Sequence, residues 1–188
     1  NITTTNDAGV CGATVSYTVT STDNCAGETI VQLAGLPSGS VFPIGTTTNT
    51  FEVTDASGNT ATCSFDVVVT DSEDPTITCP GNITTTNDAG VCGATVSYTV
   101  TSTDNCAGET IVQLAGLPSG SVFPIGTTTN TFEVTDASGN TATCSFDVVV
   151  TDTEDPMITC PGNITTTNDA GVCGATVSYT VTSSDNCA

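Results

Sequence analysis

Ala94-Thr-Val-Ser-Tyr-Thr-Val-Thr101 is the stretch that decides the fold. Ala94, Val96, Tyr98 and Val100 alternate with Thr95, Ser97, Thr99 and Thr101. Successive side chains of a β-strand point to opposite faces, so a period of two sends one set into a core and the other into water. The pattern recurs downstream, where Phe132 and Val134 alternate with Thr131, Glu133 and Thr135. After Asp136-Ala-Ser-Gly-Asn140 the inward set resumes as Cys144, Phe146, Val148 and Val150, which reads as a hairpin with a Gly-containing loop. Further strands are expected at Ile83 to Thr86, Thr110 to Leu114, Val122 to Ile125 and Ile158 to Cys160. Asn87-Asp-Ala-Gly90, Gly116-Leu-Pro-Ser-Gly120 and Pro124 break them. No helical stripe is present. About seven short strands in one such stretch imply an all-β, antiparallel β-sandwich of immunoglobulin-like type.

The stretch is not unique. Asn1-Ile-Thr-Thr-Thr-Asn-Asp-Ala-Gly-Val-Cys11 returns at Asn82 to Cys92 and at Asn163 to Cys173, a period of 81 residues. Solenoid units repeat every 20–50 residues or so and cannot bury a core alone, whereas a unit this long matches a small self-contained domain. The expected organisation is one sandwich per repeat. Residues 1–73 form a unit lacking the start of its first strand, 74–154 a complete unit, and 155–188 the N-terminal strands of a third. The chain reads as a slice of a longer tandem array.

Composition removes most functional classes. The 188 residues include no Lys, Arg, His or Trp against 20 Asp and Glu, a formal charge of −20. A chain without cationic side chains cannot neutralise phosphates, which argues against nucleic acid and anionic membranes as partners. The usual general bases, imidazole ligands and Schiff-base amines are missing too, and the expectation is a protein that is not an enzyme and carries no organic cofactor. Glu133 and Asp147 are a conceivable acidic pair for glycoside chemistry, but their strand phase faces solvent. No run approaches the ~18–20 apolar residues of a membrane span, so membrane insertion of this segment is not expected. Lys–Asn isopeptide cross-links are excluded for want of Lys.

Ten cysteines without a zinc-type spacing indicate disulfides and an oxidising, secreted setting. The four per repeat allow three connectivities. Parity favours Cys92 with Cys144, since both share the inward phase, which leaves Cys79 with Cys106. The equivalent pairs are Cys11 with Cys63 and Cys160 with Cys187. Each would stabilise a small core by about 3–4 kcal/mol in the chain-entropy model. The 42 threonines suit solvent faces of strands, with O-glycosylation as the functional alternative. An ice-binding Thr ladder would need a much shorter repeat.

Several motifs in fixed order resemble the hyalin repeat (HYR) domain family. They are Asp74-Pro75, Ile77-Thr-Cys-Pro80, Gly90-Val-Cys92, Asp104-Asn-Cys106, Ser119-Gly-Ser-Val-Phe-Pro-Ile-Gly126, Asp136-Ala-Ser-Gly-Asn140 and Cys144-Ser-Phe146. The resemblance covers the whole chain. It implies immunoglobulin-like modules in extracellular adhesive and matrix proteins, and brings neither catalytic residues nor a single ligand. The chain departs from a typical member in lacking every basic residue and in the near-identity of its copies.

The densest acidic groups are the junctions Asp71-Ser-Glu-Asp-Pro75 and Asp152-Thr-Glu-Asp-Pro156. Proline and the restricted residue before it should make them short and stiff. Asp71, Glu73 and Asp74, with Asp104, Asn105, Asp136 and Asn140 from nearby loops, supply the hard oxygens that Ca²⁺ takes. Asp152, Glu154 and Asp155 repeat the arrangement at the second junction. The plainer alternative is a solvated acidic linker with Asp104 and Asp136 as turn residues. Asn1, Asn82 and Asn163 each begin an N-glycosylation sequon.

The expected function is an extracellular structural array, a stalk or fibre whose partners are neighbouring repeats end to end and identical chains. The rival is an adhesin array binding glycans or cell-surface proteins through its loops, with avidity from repetition. It would favour an exposed aromatic anchor, and Tyr98, Phe123, Phe132 and Phe146 mostly carry the inward phase.

Overall fold

A computed structural model of the chain describes residues 1–187. The first copy of the repeat contributes β1 (Ile2–Thr5), β2 (Gly12–Val15), β3 (Thr29–Ala34), β4 (Ser40–Pro43), β5 (Gly45–Thr54) and β6 (Thr60–Thr70). The second begins with β7 (Thr76–Thr78) and continues as β8 (Ile83–Thr86), β9 (Gly93–Val96), β10 (Thr101–Thr103), β11 (Thr110–Ala115), β12 (Ser121–Pro124), β13 (Gly126–Thr135) and β14 (Thr141–Thr151). β15 (Met157–Thr159) and β16 (Thr182–Ser184) belong to the third. The chain is all-β, and its sheets form sandwiches of immunoglobulin-like type.

In the first copy the larger sheet has the order β1-β6-β5-β3, opposed by the β2-β4 pair. β5 and β6 form the long hairpin, paired from Gly45↔Val69 to Thr54↔Thr60. β1 joins β6 in parallel, Ile2↔Val67 to Thr5↔Thr70, so the sheet is mixed rather than wholly antiparallel. A parallel neighbour cannot be reached by a tight turn, and the connection here is most of the domain. The second copy repeats the order as β11-β13-β14-β8 with β12-β9.

The alternating stretch is divided. Ala94 and Val96 are buried on β9, which pairs with β12. Ser97–Val100 then leave the ladder, and β10 pairs with β7 instead. The strand therefore changes partner midway. Ser119 covers the gap: its hydroxyl accepts from the Tyr98 N–H at 2.8 Å and donates to the Tyr98 carbonyl at 2.8 Å. Backbone groups leaving a sheet need such partners.

By contacts the chain divides into two compact units that do not follow the repeat boundaries. Unit 1 comprises Asn1–Thr78, Val100–Val112 and Phe132–Cys144; unit 2 comprises Cys79–Thr99, Gln113–Thr131 and Ser145–Ala188. Unit 1 is centred on Ala13, Val15, Phe42, Val67 and Val69, with Tyr17, Leu36 and Phe65 packed against them. Ala94, Val96, Phe123, Phe146, Val148 and Val150 are the buried counterparts in unit 2. Each of these lies on the inward phase read from the sequence.

The cystines depart from the parity pairing. Cys11 bonds Cys106, not Cys63, and Cys92 bonds Cys187, not Cys144. The same two bonds remove the pairs Cys79–Cys106 and Cys160–Cys187. Both observed bonds span 95 residues and join one copy of the repeat to the next. Cys79 and Cys144 are disulfide-bonded as well, while Cys25, Cys63, Cys160 and Cys173 are unpaired among the described residues. Parity reports the face a side chain takes. It cannot report which copy supplies the partner, because every copy offers the same residue in the same context.

Candidate functional site

The feature shared by both units is the junction between successive copies. In unit 1 it is built from the Asn6–Gly12 loop after β1, the Asp71–Pro75 segment after β6, and the Asp104–Cys106 loop after β10. Asn6 ties the first two together: its N–H donates to the Thr70 carbonyl at 2.9 Å, and its side-chain oxygen accepts from the Ser72 N–H at 3.1 Å. Glu73 folds back, accepting from the Gly9 N–H at 2.8 Å and from Asn6 Nδ2 at 3.3 Å. Pro75 is buried. The junction is thus held by hydrogen bonds as well as by proline.

The third element arrives from the next copy. Asn105 Nδ2 donates to the Val10 carbonyl at 3.3 Å and to Asp71 Oδ1 at 3.4 Å, alongside the Cys11–Cys106 bond. Asp104 Oδ2 accepts from the Cys106 N–H at 3.0 Å. An oxygen of Asp71, an oxygen of Asp104 and the Cys106 sulfur lie within 4.8 Å of one another. A cystine sulfur is not a thiolate, so the ligand chemistry there is oxygen. Asp71 Oδ2, Asp104 Oδ1 and Asn105 Oδ1 are sealed from solvent, with no hydrogen-bond partner among the described residues. Buried oxygens without donors are costly, and no Lys or Arg exists to serve them. A hard cation fits that donor set.

The expected ligands divide. Asp71, Asp104 and Asn105 come together, and Asp74 lines the same pocket with Gly9, Glu73, Thr76 and Thr103. Glu73 is already engaged by Gly9 and Asn6. Asp136 and Asn140 instead close the β13–β14 turn. Asp136 Oδ1 accepts from the N–H groups of Ser138, Gly139 and Asn140 at 2.6–2.9 Å, and Asn140 Nδ2 donates to Asp136 Oδ2 at 2.8 Å. Burial raises the Asp136 pKa, but these hydrogen bonds outweigh it and hold the carboxyl below its ordinary value. Asn140 also reaches the Asp71 carbonyl at 3.5 Å, so the turn braces the site from behind.

Unit 2 repeats the junction. Asn186 Nδ2 donates to the Val91 carbonyl at 3.2 Å beside Cys92–Cys187, and Asn186 Oδ1 is another sealed oxygen without a partner among the described residues. Glu154 folds back onto the Gly90 N–H at 3.0 Å, and Asp152 Oδ1 accepts from the Glu154 N–H at 3.1 Å. Asp155 lines the pocket with Asp185 and Asn186. Asp185 and Asn186 are absent from the sequence-derived ligand set, although moving Asp104-Asn105 by 81 positions finds them. The carbonyls of Val10 and Val91 carry no side-chain signal and are visible only in the structure.

The sequon asparagines are exposed, and two of them serve the sheet. Asn1 Oδ1 accepts from the Asp66 N–H at 3.0 Å, and Asn82 Oδ1 from the Asp147 N–H at 3.0 Å.

The HYR domain family model matches residues 1–69 and 70–150. The chain belongs to the HYR domain family. Among HYR relatives, proteins named Hyalin from Strongylocentrotus purpuratus and Lytechinus variegatus are each 35% identical, over 195 and 180 residues. The matches cover 100% and 92% of this chain but only 16% and 34% of those proteins. A Serine-rich adhesin for platelets from Staphylococcus aureus (strain MRSA252) is 31% identical over 157 residues, 71% of this chain and 11% of the adhesin. Among solved structures, Drosophila N-cadherin EC1-3 aligns with a TM-score of 0.45 at 14% identity, covering 84% of this chain and 65% of that one. This HYR array is an extracellular or cell-surface module of the adhesion type.

Proposed function

We propose that the chain is a stretch of a stiff extracellular stalk or fibre in which each HYR repeat is clamped to the next by a cystine and by Ca²⁺. The repeats are 1–73, 74–154 and 155–188, and their partners are neighbouring repeats and identical chains. The observation that carries this reading is the bond from one copy to the next, Cys11–Cys106, formed again as Cys92–Cys187. A covalent bond at a junction removes the freedom a plain linker would leave. Asp71, Asp104 and Asn105 would hold the cation at the first junction, with Asp74 and water completing its shell. The ion would neutralise carboxylates that nothing in the sequence can pair. Glycans at Asn1, Asn82 and Asn163 belong to the same proposal. No chemistry beyond binding is assigned, so the proposed role is not enzymatic.

The test is solution length. Small-angle scattering of the oxidised chain in millimolar Ca²⁺ should give a rod-like profile, and reduction plus chelator should shorten and broaden the distance distribution. An unchanged profile would remove both clamps.

One observation favours the adhesin reading. Val31, Leu33 and Val41 are 51–55% exposed, and Val112, Leu114 and Val122 repeat that exposure in the next copy. Binding of the oxidised chain to a glycan or cell-surface array, lost on Leu33→Ser with Leu114→Ser, would support it.

A further inference from the structure

Both observed junction cystines follow one rule. The cysteine after Gly-Val in one copy bonds the cysteine after Asp-Asn in the next, 95 residues on. Cys173 follows Gly171-Val172 and Cys25 follows Asp23-Asn24, so they are opposite halves of the same pair. Position 25 less 95, and position 173 plus 95, both fall outside the 188 residues. Both cysteines are exposed and unpaired among the described residues.

Each half is already shaped as in the bonded junctions. Around Cys173 the Asp169 N–H donates to the Gly174 carbonyl at 2.8 Å and the Val172 N–H to the Asp169 carbonyl at 3.2 Å. The bonded loops make the same two bonds, at 2.7 and 2.9 Å. Asn168 Nδ2 donates to the Val172 carbonyl at 3.0 Å, as Asn87 does to Val91. In the bonded junctions that valine carbonyl also accepts from the incoming asparagine, at 3.3 Å for Val10 and 3.2 Å for Val91. The Cys25 half matches too. Asp23 Oδ1 accepts from the Asn24 N–H at 2.8 Å, as Asp185 does from Asn186 in the bonded second junction.

We propose that Cys173 of one copy of the chain forms a disulfide with Cys25 of a second copy, with the Asn24 side chain donating to the Val172 carbonyl, linking chains head to tail. The proposal rests on the array reading above. Two thiols lose their protons, and a small-molecule disulfide such as oxidised glutathione accepts the two electrons. One cysteine thiolate attacks that disulfide and releases one thiol, and the second cysteine attacks the mixed disulfide and releases the other. Two copies that each carry −20 repel, so added salt or Ca²⁺ should speed the linkage.

The test uses the full chain with its native cystines and with Cys63→Ser and Cys160→Ser, which removes the other two exposed thiols. Oxidised glutathione is added and products are read on a non-reducing gel. The parent should give a ladder, faster in salt. Added Cys25→Ser or Cys173→Ser alone should abolish it, and mixing those two variants should give dimers only. Chymotryptic peptides should show Cys25 joined to Cys173; trypsin has no site in a chain without Lys or Arg. Symmetric Cys25–Cys25 and Cys173–Cys173 dimers forming as readily as the mixed dimer would overturn the proposal. So would the absence of a mixed dimer while Cys11–Cys106 is present in the peptide map, which leaves the array reading standing. Absence of Cys11–Cys106 from the native chain would remove both.

Discussion

Cys11 and Cys106 lie in successive copies of the repeat, yet their Cα atoms are 4.9 Å apart and their sulfurs are bonded. A cystine that closes 95 residues restricts the unfolded chain strongly. Cys11→Ser with Cys106→Ser should lower stability by about 4–5 kcal/mol in the chain-entropy model. Cys63→Ser should change it by less than ~0.5 kcal/mol, as a surface substitution. Calorimetric melting of both variants separates the observed connectivity from one that uses Cys63.

Asp71 and Asp104 carry like charges within 4.8 Å and no cationic side chain is available. Such a pair repels by about 3 kcal/mol at an effective dielectric of ~20, less with screening. Asp104→Asn should therefore raise the melting temperature in chelator and lower it relative to the parent in millimolar Ca²⁺. Titration calorimetry should show weakened Ca²⁺ binding for the variant. A melting shift of the same sign in both buffers would remove the cation from this site.

Gly116 holds φ at +90°, and a Cβ there would collide with the side-chain oxygen of Asn130. Asn130 is fully buried, and that oxygen accepts from the Leu117 N–H at 2.9 Å. Gly116→Ala should destabilise by more than the ~1–2 kcal/mol of the left-handed backbone alone, because the clash adds to it. Asn130→Ala should cost about 1–3 kcal/mol by stranding the Leu117 donor. Chemical denaturation measures both.

Acid should weaken the turns. Asp55 is held below the ordinary carboxylate value of 3.8 by the Asn59 side chain and then its N–H, and Asp7 by the Thr14 N–H and then its hydroxyl. A depressed folded pKa contributes stability above the unfolded value and loses it as pH falls through the folded one. That contribution is constant from neutral pH to about 5 and disappears below about 4. Asp55→Asn should flatten the acid limb of stability against pH while leaving the salt response of the junctions unchanged.

The local physics was legible in the residues. The period of two placed Ala94, Val96, Phe132, Phe146 and Val148 on the buried face, and all five are buried. The Asp136–Asn140 turn was legible because its carboxylate caps its own backbone. Half the acidic site was legible as well, since Asp71, Asp104 and Asn105 do converge. Glu73 and Asn140 were assigned to the ion, but their nearest donors and acceptors lie in loops that no sequence spacing marks.

The sequence by itself determined the 81-residue period, the strands and the inward faces, because these follow from side-chain alternation and turn chemistry within a few residues. Only the tertiary structure decided that the strand around Tyr98 changes sheets, and that Cys11 reaches Cys106 rather than a cysteine of its own copy. When copies are nearly identical, pairing within a repeat and pairing across repeats present the same residues to the same surroundings. Distance in the folded chain is then the one quantity that separates them.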